Sequence, residues 1–203
     1  MKGKRHKKAK PVYGYGINDA DYIVDQVVSG KREVCPYYSR WTKMMERCYS
    51  GKRHEVKPSY RDCSVCDEWL YFSNFKKWMA CQDWEGKQLD KDILVPGNRI
   101  YSPDACIFVT SEINLLLSAG KKSKSGLPRG VSKDHRSGRY VTHCRTGRKS
   151  AHIGTFTSSL EAAEAYKLAK AEYIRFVAGN QSGPLMSALL RHAEIVEVQL
   201  CSI

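Results

Sequence analysis

The sequence predicts an α+β fold: a mixed N-terminal module of helices and short β-type pieces, then a small sheet braced by one helix. Three observations carry this. Between Tyr37 and Tyr49, the residues Trp41, Met44, Met45 and Cys48 recur at spacings of three and four, the period of a helix with one buried face. Residues 127–156 hold β-type runs separated by turn residues, with strict alternation in Arg139-Tyr140-Val141-Thr142-His143-Cys144-Arg145. The period then becomes helical in the Ala-rich run Leu160-Glu161-Ala162-Ala163-Glu164-Ala165-Tyr166.

In chain order, residues 1–10 read as a disordered basic arm, because lysines without apolar residues cannot bury a core. Residues 11–34 start turn-rich at Tyr13-Gly14-Tyr15-Gly16 and are poorly periodic. After the 37–49 helix, the polar stretch 50–62 contains Pro58 and predicts a loop. A second helix is expected over about 66–79, with Trp69, Phe72, Phe75, Trp78 and Met79 on its buried face and Asp67 and Glu68 in its first turn. Residues 85–113 read as short β-like pieces and turns: Asp92-Ile93-Leu94-Val95, Pro96-Gly97-Asn98 and Ile107-Phe108-Val109. The run Ser118-Ala119-Gly120-Lys121-Lys122-Ser123-Lys124-Ser125-Gly126 predicts a charged linker and marks the boundary between a module at 11–117 and a second at 127–180. A helix from Ser159 to Ala178 closes that module. In the tail, 181–203, Ser182-Gly183-Pro184 opens a short amphipathic helix to about Glu194, with Ser182 as N-cap and Pro184 in the first turn.

Charge narrows the class of partner. The formal net charge is +13. Residues 1–10 carry six Lys or Arg and no acid, and residues 121–150 carry ten against Asp134 alone, so the rest of the chain is close to neutral. An excess held in one arm and one segment is the footprint of a protein that meets a polyanion, and such binding weakens steeply with salt. No apolar run approaches the roughly 20 residues that span a bilayer, and none follows the basic N-terminus as a secretory signal would require. Eight cysteines without such a signal predict reduced thiols in an intracellular protein.

The motifs Arg129-Gly130-Val131, Gly138-Arg139-Tyr140, His152-Ile153-Gly154-Thr155-Phe156 and Glu161-Ala162-Ala163 with Ala165-Tyr166 resemble the Apetala/ethylene-response-factor DNA-binding domain. That module is similar in turn to segments appended to phage and bacterial HNH homing endonucleases. The resemblance implies a three-stranded antiparallel sheet lying in the major groove of double-stranded DNA, with one helix packed behind it. Arg129, Gly130, His143, Arg145, His152 and Tyr166 fall on family positions that contact DNA. His143 stands where the plant family has a carboxylate, His152 where it has an indole and Ser132 where it has an arginine, so the base sequence those proteins read does not transfer. The alternation independently puts Arg139, Val141, His143 and Arg145 on one face, and a β-ribbon fits the major groove. Arg129 and Arg145 are the expected base readers, since arginine to guanine is the commonest specific contact. Arg136, Arg139, Arg148 and Lys149 are expected on phosphates. Tyr140, Phe156 and Ala162 are expected in the core between sheet and helix.

Residues 13–116 resemble a segment of phage-encoded HNH-like proteins. The matching pieces are Gly16-Ile17-Asn18-Asp19-Ala20-Asp21-Tyr22; Trp41, Met45 and Arg47-Cys48-Tyr49; Val65-Cys66, Trp69, Phe75 and Trp78-Met79; Leu89-Asp90-Lys91-Asp92-Ile93; and Tyr101-Ser102-Pro103, Cys106, Val109 and Asn114. An HNH nuclease needs a histidine base, usually in an Asp-His motif, and ligands for one divalent metal such as Mg or Mn. Here the slot reads Asp90-Lys91, and a lysine is protonated at neutral pH. The one histidine in 11–120 is His54. Asp90, Asp92 and Asn98, with Asn114, would be the remnant of the metal site. Cys63-Ser64-Val65-Cys66 has the spacing of a zinc knuckle that Cys48 and Cys106 would complete, against the default that these thiols pack as small hydrophobes. The Trp/Phe stripe of the second helix reads as core.

The expectation is a double-stranded DNA-binding protein of the homing-endonuclease type, in the host cytoplasm if phage-encoded, with a degenerate nuclease module. The alternatives are an active metal-dependent HNH endonuclease and a non-enzymatic regulator that holds a protein partner through its N-terminal module.

Overall fold

The computed structural model describes residues 10–118, 125–147 and 149–198. The chain divides into two compact units, Met1–Val109 and Thr110–Ile203. The division lies ahead of the Lys/Ser/Gly segment at 118–126 where the change in composition suggested it. The fold is α+β, as the periodicities predict.

The first unit is organised by aromatic packing. Helix α1 (Pro36–Tyr49) starts at Pro36, whose missing N–H is no loss in a first turn, and buries Trp41, Met44, Met45 and Cys48. It stops at Ser50, whose extended backbone ends α1 while its Oγ accepts from Arg53 N at 3.3 Å to start α2 (Gly51–Val56). The expected loop at 50–62 therefore contains a helical turn and a half, closed by Pro58 and a 3₁₀ turn over Pro58–Tyr60. The expected 66–79 helix is also broken. A 3₁₀ turn, Asp67–Leu70, precedes α3 (Phe72–Ala80), and Tyr71 between them is extended. The cause is remote in sequence: Ile17 N donates to Leu70 O at 2.8 Å and Phe72 N to Ile17 O at 3.0 Å, which holds Tyr71 in a parallel bridge. Asp19, on the same N-terminal segment, then caps α3 by accepting from Ser73 N at 2.8 Å and Ser73 Oγ at 2.6 Å.

Around these helices stand a hairpin and two small sheets. The hairpin, β1 (Asp25–Val28) and β2 (Lys31–Val34), turns through Ser29 and Gly30 at φ 51° and 76°. β3 (Ser64–Val65) pairs parallel with β5 (Ile100–Tyr101), and β4 (Gln88–Asp90) antiparallel with β6 (Ile107–Val109). Asp92–Val95, expected as a strand, is a run of bends. The Asp90 carboxylate accepts from the backbone N–H groups of Asp92 and Ile93, both at 2.9 Å, and turns the chain away from the ladder. The stripe Trp69, Phe72, Phe75 and Met79 is fully buried, with Trp69 edge-on to Phe75 at 5.0 Å and Trp41 Nε1 donating to Trp69 O at 2.7 Å.

The second unit begins with α4 (Ser111–Leu117), capped by Thr110, whose hydroxyl accepts from Ile113 N at 3.3 Å. A three-stranded antiparallel sheet follows: β7 (Val131–Lys133), β8 (Tyr140–Thr146) and β9 (Lys149–Phe156), in the order β7-β8-β9. Helix α5 (Ser159–Ala178) is capped by Ser158 Oγ on Leu160 N at 3.1 Å and lies on one face of the sheet. Ala162 and Ala163 are buried there beside Val131, Tyr140 and Phe156, as expected for this core. Helix α6 (Gly183–Val198) runs further than the predicted Glu194 and packs on α5, burying Ala188, Leu189 and Ala193.

Gly16 allows the N-terminal segment to reach α1. A Cβ there would stand 2.7 Å from Trp41 Cη2 and 3.0 Å from the Met45 methyl. Gly16→Ala is therefore expected to lower the urea unfolding free energy by about 1–3 kcal/mol, the usual cost of overpacking a core. An unchanged midpoint would mean that the segment does not depend on this approach.

Candidate nucleic-acid interface

Alternation divides β8 cleanly. Thr142 and Cys144 are fully buried toward α5, where Thr142 Oγ1 donates to Ala162 O at 2.8 Å, whereas His143 and Arg145 are exposed. In register, Val141 pairs with Thr155, His143 with His152 and Arg145 with Ser150. The shift between Thr142↔Gly154 and His143↔His152 makes Ile153 an extra residue of β9, a bulge that increases local twist. The two imidazoles meet edge to face with ring centroids 5.3 Å apart. The outward face thus carries His143, His152 and Arg145 together, with exposed Lys149 at the start of β9.

The other basic candidates sit at the margins. Arg136 and Arg139 are exposed in the β7–β8 turn, which Asp134 organises by accepting from Arg136 N at 3.0 Å and Ser137 Oγ at 2.6 Å. Those contacts hold the Asp134 carboxyl below its ordinary range. Arg148 lies outside the described residues, as do the arm at 1–9 and Lys121, Lys122 and Lys124.

Three of the expected DNA contacts lie off this outward row. Gly130, at φ +79°, lies beneath the Tyr166 ring, and a Cβ there would come within 2.1 Å of it. The close approach gives this glycine and this tyrosine a packing role between sheet and helix. Arg129 Nη1 donates to Ser118 O at 2.6 Å, which ties it to the end of α4. It bonds toward Tyr166, and its charge acts on Lys170. Lys170 was missed. Its signal in the sequence is the helical stripe Tyr166, Lys170, Tyr173, Val177, but nothing local marks it as buried.

In the first unit, Asp90, Asp92 and Asn98 do come together, around Lys91. The Lys91 ammonium is nearly buried and donates to Asp92 Oδ2 at 3.0 Å and to Asn98 O at 2.9 Å. The Asn98 amide in turn donates to Lys91 O at 2.6 Å and Ile100 O at 2.7 Å. His54 does not join this set through any hydrogen bond: its Nε2 meets Arg47 O at 2.9 Å, anchoring α2 to the end of α1. Arg47 reaches back to Leu89 O at 3.3 Å and Tyr101 Oη at 3.4 Å.

This slot does not fit a divalent metal, because the Lys91 ammonium already pairs with Asp92 and the Asp90 carboxylate is taken up by the backbone N–H groups of Asp92 and Ile93. Among the described residues no three His, Cys, Asp or Glu converge as a metal-holding group. Cys48, Cys63 and Cys106 are buried in the aromatic core, with Cys66 half-buried at its edge. Burial pushes the Cys48 and Cys106 thiols up to about 12 and raises those of Cys63 and Cys66, which keeps all four protonated.

No helix among the described residues is long and apolar enough to cross a membrane. No protein-family profile, curated protein or solved structure matches the chain.

Asp90 provides a pH test. Burial, and secondly the neighbouring Asp92 charge, push its carboxyl up to about 6 from an ordinary 3.8. A carboxyl raised in the folded state destabilises the fold where it must ionise, above pH 6. That cost is relieved as pH falls from 6 toward 4. The rise of about two units corresponds to at most ~3 kcal/mol. Asp90→Asn keeps the acceptor for the two N–H groups, so it should gain stability over wild type at pH 7 and lose that advantage by pH 4.5. A pH-independent difference in urea unfolding would refute the perturbation.

Proposed function

We propose that this chain is a double-stranded DNA-binding protein that lays the outward face of β7–β9 in the major groove and does not cut the strand it holds. The observation that carries the reading is the row His143, His152 and Arg145 on the face opposite α5. Neighbouring strands about 4.8 Å apart make a ribbon that enters a groove about 12 Å wide, with alternate side chains toward the base edges. Arg145 is the base-reading candidate, while Arg136, Arg139 and Lys149 at the rim suit phosphates. Double-stranded RNA is disfavoured, because its major groove is too narrow for a ribbon.

The non-cutting part rests on the Asp90-Lys91 slot. A lysine paired with Asp92 and hydrogen-bonded to Asn98 O is a poor general base, and His54, the one histidine of residues 11–120, is bound to a helix end.

Selection of duplexes from a random pool, followed by gel shift, tests the reader. Arg145→Ala is expected to cost about 1–3 kcal/mol of specific binding, and Lys149→Ala to weaken all sequences alike and lower the salt slope by about one. Equal affinity of wild type and Arg145→Ala for the selected duplex would remove the sheet face from the interface. The selected duplex and supercoiled plasmid should survive incubation with Mg²⁺ or Mn²⁺. Nicking abolished by Asp90→Ala plus Asp92→Ala would instead establish the endonuclease.

A further inference from the structure

Inside the second unit, a cleft of about 760 Å³ is walled by α4, the segment before β7, the turn after β8 and the α5 stripe Tyr166, Lys170, Tyr173, Val177. Lys170 decides its chemistry. It is only 8% exposed, and no carboxylate pairs with it among the described residues. The groups that act on it are the Arg129 guanidinium and the Cys144 thiol. Arg129 is fixed by its bond to Ser118 O, and at the turn after β8 Arg145 Nε donates to Gly147 O at 3.1 Å, both residues bordering the cleft. One acid, Glu112, lines the same cleft.

An ammonium removed from water beside a like charge is unfavourable unless an anion completes the site. Burial and Arg129 both hold Lys170 below the ordinary lysine pKa, in line with that cost. The guanidinium fork and the ammonium are the usual pair for a phosphoryl group, one giving directed donors and the other a compact charge. The rest of the wall is mixed, with Ile113, Leu116 and the two tyrosines beside serine and threonine hydroxyls, so there is room for an organic body attached to the anion.

We infer that this cleft is a phosphate-binding site in which Lys170 and Arg129 grip a phosphoryl group carried by a nucleotide-sized molecule or by a DNA backbone. The inference does not rest on the sheet face as a reader: the phosphate arm of its test stands even if the wild-type chain binds no duplex.

The test uses the full chain and compares wild type with Lys170→Met, which keeps most of the stem and removes the charge. Without ligand, Lys170→Met should melt at a higher temperature, because an uncompensated buried charge is gone. A lysine with a structural role would shift the midpoint the other way. Inorganic phosphate and adenosine monophosphate, added at constant ionic strength against chloride, should raise the wild-type midpoint and leave the variant unmoved, with affinity reduced about tenfold to a hundredfold. A duplex arm separates the sources. If the site holds a DNA backbone phosphate, Lys170→Met lowers duplex affinity and the salt slope falls by about one; if the phosphate is carried by a small molecule, duplex affinity is unchanged while the response to adenosine monophosphate is lost. Arg129→Gln gives the same readouts should Lys170→Met fail to fold. The inference is overturned if these variants change neither the phosphate response nor duplex binding, or if Lys170→Met melts lower and still responds to phosphate.

Discussion

A three-stranded sheet can cover only one of its faces with a single helix, and the second unit depends on how closely α5 covers that face. Two approaches set the distance. Thr142 Oγ1 reaches the Ala162 carbonyl at 2.8 Å, and the Tyr166 ring lies on Gly130, where no Cβ fits. Ala162 and Ala163 are small enough to permit both. Once the helix is seated, alternation leaves no choice about what faces outward. Since a slip of one residue exchanges the faces of a strand, the register that buries Thr142 and Cys144 is the one that presents His143 and Arg145. The basic row is thus a consequence of core packing. Gly130 and Tyr166 take part in that packing.

The first unit rests on a different foundation. Its strands are two to four residues long, too short to hold register alone, and its order comes from Trp41, Trp69, Phe72 and Phe75 packed ring on ring. This core meets the Asp90 region through Leu89 and Tyr101, both bonded by Arg47, and through β6, where Ile107 pairs with Asp90 and Phe108 with Leu89. The interior chemistry has closed around Lys91, whose ammonium and its neighbours make hydrogen bonds to each other.

Legibility followed the locality of the forces. Helix α1 and helix α5 were readable because their buried residues repeat at the helical period. The sheet of the second unit was readable from the alternation around His143. The break at Tyr71 was not, because it is imposed by backbone bonds from Ile17, far away in the chain. The β1–β2 hairpin was not, since its residues are exposed or half-buried and show no alternation; the Ser29-Gly30 turn was its one sign. The strand expected at Asp92–Val95 failed because its apolar run hid the turn that the Asp90 carboxylate makes with the next residues. Of the site, the outward row was legible and the place of Arg129 was not: an alternating pattern assigns faces only within a strand, and Arg129 precedes β7.

The two buried lysines show why the units invite different readings. Both are about nine-tenths buried, at 9% and 8% exposed. Lys91 has a carboxylate at 3.0 Å and a carbonyl at 2.9 Å, so its desolvation is offset within the unit and its surroundings ask for no further charge. Lys170 has a guanidinium for a neighbour instead, and its desolvation is not offset. A buried ion pair adds little net stability but is strongly destabilising to break, and a lone buried cation is costly from the start. The first arrangement is stable without a ligand and offers little to one. The second is a like-charged pair, and an anion between Lys170 and Arg129 would offset both the desolvation and the repulsion.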